Sequence, residues 1–273
     1  MEQIHAGLAL EVSRADYRLA RLEGWQPTTP SRFTAVEFTL ARVLAGQPRW
    51  FVVSRTDTSQ ATSRSHLIFM ESSATGGLAG WRVVTGSTAA DGQDLPRFAR
   101  SPDGYADTVS RDTHTLVAPP DRVARAHAQW VADLRDTSDA SDARKVLTAN
   151  GYTAEAVRKR RIERDTRLQG QWDVQIQARP TKAVYGLRTV NGGALVWYGF
   201  RETHTYLPVV EGAGRISFTS QDGRHLLSGG RWYSRVVKVR FATGFLAVVP
   251  AAGAGRRATV VGDWHSTLEV SGQ

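Results

Sequence analysis

Alternation of apolar and polar residues divides this chain into blocks. FTAVEFTLARV (33–43), RWFVVSR (49–55), HLIFMES (66–72) and WRVVTGS (81–87) are short, rich in Val, Phe and Trp, and separated by polar stretches. That texture predicts antiparallel strands. TDTSQATSRS (56–65) and SATGGLAG (73–80) read as the turns between them. Residues 94–107 read as irregular chain with a tight turn at Asp103-Gly104.

From Ala118 the period changes. In APPDRVARAHAQWVADLRD (118–136), Val123, Ala126, His127, Trp130, Val131 and Leu134 fall on one helical stripe. Pro119 and Pro120 open the helix, and Asp121 lies in its first turn. SDARKVLTAN (141–150) predicts a second helix ending at Gly151, and 153–169 a third with Thr153 as N-cap and Glu155 in the first turn. Period-2 alternation then returns. In WDVQIQAR (172–179), Trp172, Val174 and Ile176 share one face, and Asp173, Gln175 and Gln177 the other. Two strands flank Asn191-Gly192-Gly193, a hairpin signal. RISFTS (215–220) reads as a short strand, WYSRVVKVRFATGFLAVVP (232–250) as a long one bent or bulged at Gly244, and 256–270 as its returning neighbour.

Helices followed by a long, bent antiparallel sheet define the α+β class. The expected architecture has two domains, 1–117 and 118–273, each a curved antiparallel sheet packed on helices in an NTF2-like or cystatin-like cone. The second is expected to hold three leading helices and five strands, and the first to have its leading helix reduced or absent.

The 273 residues and eight Trp suffice for two cores. No run approaches the ~18 apolar residues of a membrane helix. The opening residues show no basic start, apolar run and small-residue cleavage site of an export signal, which leaves a cytoplasmic location open. The absence of Cys excludes disulfides, thiolate metal sites and Cys nucleophiles. The net charge of +9 favours polyanionic partners. Only four of the 35 basic residues are Lys, however, and an Arg-rich composition also gives a generally basic surface.

No motif names a reaction. The chain lacks G-x-S-x-G, P-loop, strand-linked G-x-G-x-x-G and H-E-x-x-H patterns, so no catalytic residue, cofactor or metal is assigned. His265 and Glu269 sit on a strand beside Asp263 and Thr267, which reads as a solvated face. RKRRIERDTR (158–167) offers Arg158, Lys159, Arg161 and Arg164 as an anion-binding set. The same run also fits an exposed helix face with local Glu–Arg pairs. In ALVWYGFRETHTYL (194–207), alternation puts Leu195, Trp197, Gly199 and Arg201 on one face and Val196, Tyr198, Phe200, Glu202, His204 and Tyr206 on the other. Glu202, His204, Tyr206 and Tyr198 are therefore a candidate pocket mouth, with Glu202 and His204 as an acid–base pair. The competing reading is a wet rim.

ALEVSRADYRLAR (9–21), QPRWFVVSR (47–55), WRVVTGS (81–87), DGYAD (103–107), APPDRVARAHAQWVADL (118–134), 184–206 and 245–272 occur in one order. Together they resemble a domain of unknown function found in exported proteins, often lipoproteins, of high-GC Gram-positive bacteria. The resemblance implies an extracytoplasmic, cell-envelope setting and supplies no catalytic residue. The leading expectation is a non-enzymatic envelope protein that binds or scaffolds an envelope partner. A small-molecule or enzymatic pocket of NTF2-like type and a polyanion-binding module are the alternatives.

Overall fold

The computed structural model describes residues 1–24, 32–43, 46–58, 63–72, 80–90, 95–135, 139–219 and 223–273. The tips of the turns expected at 56–65 and 73–80 lie outside the described residues, as do residues 94, 136 and 220 of the expected loop, helix and strand ends.

The chain opens with α1 (Gly7–Leu22). Leu8, Val12 and Ala15 recur at helical spacing and are buried, and Arg21 in the last turn suits the helix C-terminus. This corrects the expectation that the first half has its leading helix reduced or absent. Next come β1 (Phe33–Leu40), β2 (Trp50–Asp57), β3 (Ser63–Glu71) and β4 (Trp81–Ala90), an antiparallel meander as the alternation predicts.

Three helices follow: α2 (Pro120–Ala132), α3 (Asp139–Val146) and α4 (Ala154–Gln169). Thr153 stands at the N-cap of α4 but makes no capping bond; its hydroxyl binds the Thr148 carbonyl at 2.9 Å instead. The remaining strands are β5 (Trp172–Pro180), β6 (Tyr185–Arg188), β7 (Ala194–Pro208), β8 (Val237–Val249) and β9 (Thr259–Gly272), with a short α5 (Gly223–Ser228) before β8. The β6–β7 turn forms at Asn191-Gly192-Gly193, with Gly192 at φ 78.

Some details depart from the pattern. The described residues 215–219 contribute only an isolated bridge, Ile216 to Tyr233, and the long strand starts at Val237 rather than at 232. The irregularities in β8 fall at Arg240/Phe241 and Leu246/Ala247, not at Gly244. Gly244 is needed for close approach: a Cβ there would lie 2.9 Å from Thr85 Oγ1 and nearer still to the Gly86 carbonyl.

Among the described residues, all nine strands belong to one antiparallel sheet, ordered β1-β2-β3-β4-β9-β8-β7-β5 with β6 also on β7. The expected division at Ala118 falls just before α2, and strands from both sides of it pair at Thr88–Asp263 and Ala89–Gly262. The sheet folds over itself, so that Val52, Ile68 and Val84 of the first half pack on Leu195, Trp197 and Leu246 of the second. Helices α2 and α4 cover the opposite face of β7 and β8, where Val123, Trp130, Val131 and Val157 pack with Val196, Tyr198, Phe200 and Phe245. α1 lies on the side of Trp264 and Ala242.

Candidate functional site

β7 delivers its two faces as the alternation predicts. Leu195 and Trp197 enter the core between the sheet halves, and Arg201 pairs with Glu11 of α1. Tyr198, Phe200, Glu202, His204 and Tyr206 turn toward the helices, and all are buried. The wet-rim reading is therefore overturned: the polar end of the strand is roofed by α4.

The four residues of the expected mouth separate. Tyr198 is deep core. Its hydroxyl lies 2.9 Å from His127 Nδ1, and His127 Nε2 lies 2.9 Å from the Tyr152 carbonyl. The carbonyl can only accept, so Nε2 carries the proton and Nδ1 accepts from Tyr198. Burial brings the His127 pKa down to about 4, which keeps the ring neutral, and pushes the Tyr198 phenol up. Tyr206 joins another cluster. Its hydroxyl donates to Glu163 Oε1 at 2.8 Å, Arg224 binds both partners, and the Arg167 guanidinium lies 5.7 Å from its ring centroid.

Glu202 and His204 remain together, and Arg160 of α4 completes them. Arg160 Nη2 lies 2.8 Å from Glu202 Oε2, and its Nη1 donates to the Val131 carbonyl at 2.8 Å. His204 Nε2 lies 3.0 Å from Glu202 Oε2. Burial alone would raise the Glu202 pKa; Arg160 and the His204 hydrogen bond outweigh it and bring it down to about 2. An ionised Glu202 only accepts, so His204 donates from Nε2. His204 Nδ1 is buried and has no hydrogen-bond partner among the described residues.

This trio borders a cavity of about 240 Å³. Val131, Tyr152, Phe241 and Phe245 give it apolar walls, and Thr243, Asp263 and His265 line its other side. Asp263 Oδ2 and His265 Nδ1 are 3.1 Å apart. The hydrogen bond to Asp263 raises the His265 pKa against the opposing effect of desolvation. Two acid–imidazole pairs thus meet at one cavity. Among the described residues, no group of three His, Asp or Glu side chains is placed to hold a metal.

The basic run of α4 is shared between solvent and interior. Arg158 is exposed and pairs with Glu155 at 2.5 Å, and Lys159 is exposed. Arg161 donates to the Asp133 carbonyl at 3.1 Å, and Arg164 holds Asp173 at 2.9 Å. Sequence reasoning passed over Arg160, Glu163 and Arg167. Their signal was spacing: positions 160, 163, 164 and 167 form a stripe facing the sheet, while Ile162 on the same helix is 51% exposed.

The model of the family described as Domain of unknown function (DUF8094) matches residues 1–272, so the chain belongs to that family. An uncharacterized lipoprotein of Streptomyces avermitilis is 29% identical over 251 residues, covering 88% of this chain and 70% of that protein. An uncharacterized lipoprotein of Streptomyces coelicolor is 28% identical over 174 residues, covering 63% of this chain and 48% of that protein. No solved structure matches.

Proposed function

Starting from membership of the DUF8094 family and relatives named as lipoproteins, we propose that this is a non-enzymatic, envelope-associated binding protein that takes a small polar molecule at the Arg160–Glu202–His204 cavity. The observation that carries the reading is a cavity bordered by Arg160, Glu202, His204, Asp263 and His265, with Nδ1 of His204 buried and without a hydrogen-bond partner among the described residues. An unsatisfied buried nitrogen costs about 1–3 kcal/mol. A small turn of the His204 ring that opens Nδ1 to the cavity lets a ligand O–H or N–H remove that cost. The cavity of about 240 Å³ lies below the roughly 300–1,000 Å³ of sites for drug-sized ligands, which favours a small guest. Holding is favoured over turnover because Arg160 and His204 already engage both Glu202 oxygens.

The test is a thermal-shift and calorimetric screen of small polyols, amino acids and amines against the wild-type chain and His204→Phe. The reading predicts a compound that raises Tm in the wild type and has no effect in the variant. A screen with no such compound, or one whose hits act equally on both proteins, overturns it. The envelope assignment is tested separately by fractionating cells that express the native gene; recovery in the soluble cytoplasm alone counts against it.

A further inference from the structure

A second concave feature lies at the edge of the sheet, away from the cavity. β5 ends the strand order, pairing with β7 on one side and with no described strand on the other. Beside it a groove of about 680 Å³ runs along α2. Val174, Ile176 and Ala178 line the strand side, and Ala128 and Ala132 the helix side.

Hydrogen bonds flanking β5 fix which of its backbone groups point into this space. Val209 N–H donates to the Gln171 carbonyl at 2.9 Å, and Thr181 N–H donates to the Gly199 carbonyl at 2.8 Å. Antiparallel pairs alternate between bonded and non-bonded residues. The unbroken register from Trp172–Pro208 to Pro180–Phe200 carries that alternation through the strand. The odd-numbered residues therefore bond β7, and Val174, Ile176 and Ala178 direct N–H and C=O outward. No described residue hydrogen-bonds to these outward groups.

We propose that this edge is a strand-addition site for an extended acidic peptide. The peptide lies along β5 as a further strand and bonds the backbone of Val174, Ile176 and Ala178. Its alternate side chains drop toward the small residues Ala128 and Ala132 of α2. The outward ladder spans five residues, roughly 17 Å of extended chain. The acidic preference comes from Arg179, an exposed groove residue with no ion pair among the described residues, and from Arg135 at the other end, whose side chain stays 61% exposed while holding Asp173. The chain's net charge of +9 acts in the same direction.

The experiment is fluorescence anisotropy of the full chain with a fluorescein-labelled, end-blocked hexapeptide alternating Glu and Val. Two further versions are N-methylated, one on every Val and one on every Glu. Strand addition presents only one of these sets of N–H groups to β5. One methylated peptide is therefore expected to bind about tenfold more weakly and the other like the parent. Ala178→Pro removes an outward donor on an edge strand and is expected to cost a similar factor. Arg179→Glu is expected to weaken the acidic peptide several-fold and to favour its Lys–Val counterpart. If Ala178→Pro does not fold, the two methylated peptides decide on the wild-type chain. Equal binding of both methylated forms, equal binding of acidic and basic peptides, or no binding overturns the proposal. So does a dimer in sedimentation that Ala178→Pro dissociates, because the edge then belongs to a second copy.

Discussion

Two acid–imidazole pairs face one cavity with the same local design and opposite surroundings. Glu202–His204 on β7 and Asp263–His265 on β9 each place a carboxylate and a histidine two residues apart on one strand face, at 3.0 and 3.1 Å. Their side chains are 3% and 8% exposed in the first pair and 32% and 66% in the second. The exposed pair is solvated, and its contact is worth little. The buried pair holds a charge in the interior, and it requires the Arg160 guanidinium to do so. Spacing created both pairs; what α4 lays over them determines which one is tightly coupled to folding.

The largest break in this symmetry is Arg160→Met, which leaves Glu202 buried without its cation. The expected loss is about 3–5 kcal/mol by urea unfolding. A loss within about 1 kcal/mol would show that Glu202 does not depend on Arg160. Arg158→Met on the same helix, where the guanidinium is exposed, is the control and should be close to neutral.

The pH profile sharpens the comparison next. The folded Glu202 pKa, about 2, lies below its ordinary value of 4.5. Its stabilisation is thus complete above pH 4.5 and is lost as pH falls toward 2, on the order of 3 kcal/mol. Glu202→Gln should remove that part of the acid limb. A variant with an unchanged acid limb would mean that Glu202 is not held ionised. His265 has the opposite sign. Its raised pKa contributes stability below 6.5 that is lost as pH rises through the folded value. With the side chain 66% exposed, the effect is small.

The smallest expected effect is Asp263→Asn, within about 1 kcal/mol in stability, with the His265 pKa falling back toward 6.5 in an NMR titration. A His265 pKa that does not move would show that Asp263 is not its main partner.

Much of this was legible along the chain. Alternation in 194–207 separated Trp197 and Arg201 from Glu202 and His204, and the pleat turned that split into two sides of a layer. The stripe of α2 marked the residues that now pack on β7 and β8. Leu8, Val12, Ala15 and Leu19 carried the signal of α1 at helical spacing, but a mostly polar background hid it. α4 misled for a physical reason. A helix face of Arg160, Glu163, Arg164 and Arg167 has the texture of a solvated surface. It is partly enclosed here because Glu202, Tyr206, Asp173 and the Ser217 carbonyl meet it from the sheet and neighbouring chain.

The sequence by itself determined most of the local elements and the facing of β5 and β7, because helix and strand periods are written in local chemistry. The tertiary structure alone decided that two half-sheets join at Thr88 and Ala89, that Arg160 reaches Glu202 across 42 residues, and that Asp263 and His265 border the same cavity. Those outcomes depend on charges and backbones meeting across long sequence separations. The energy of such a meeting comes from burial and pairing, which no single segment encodes.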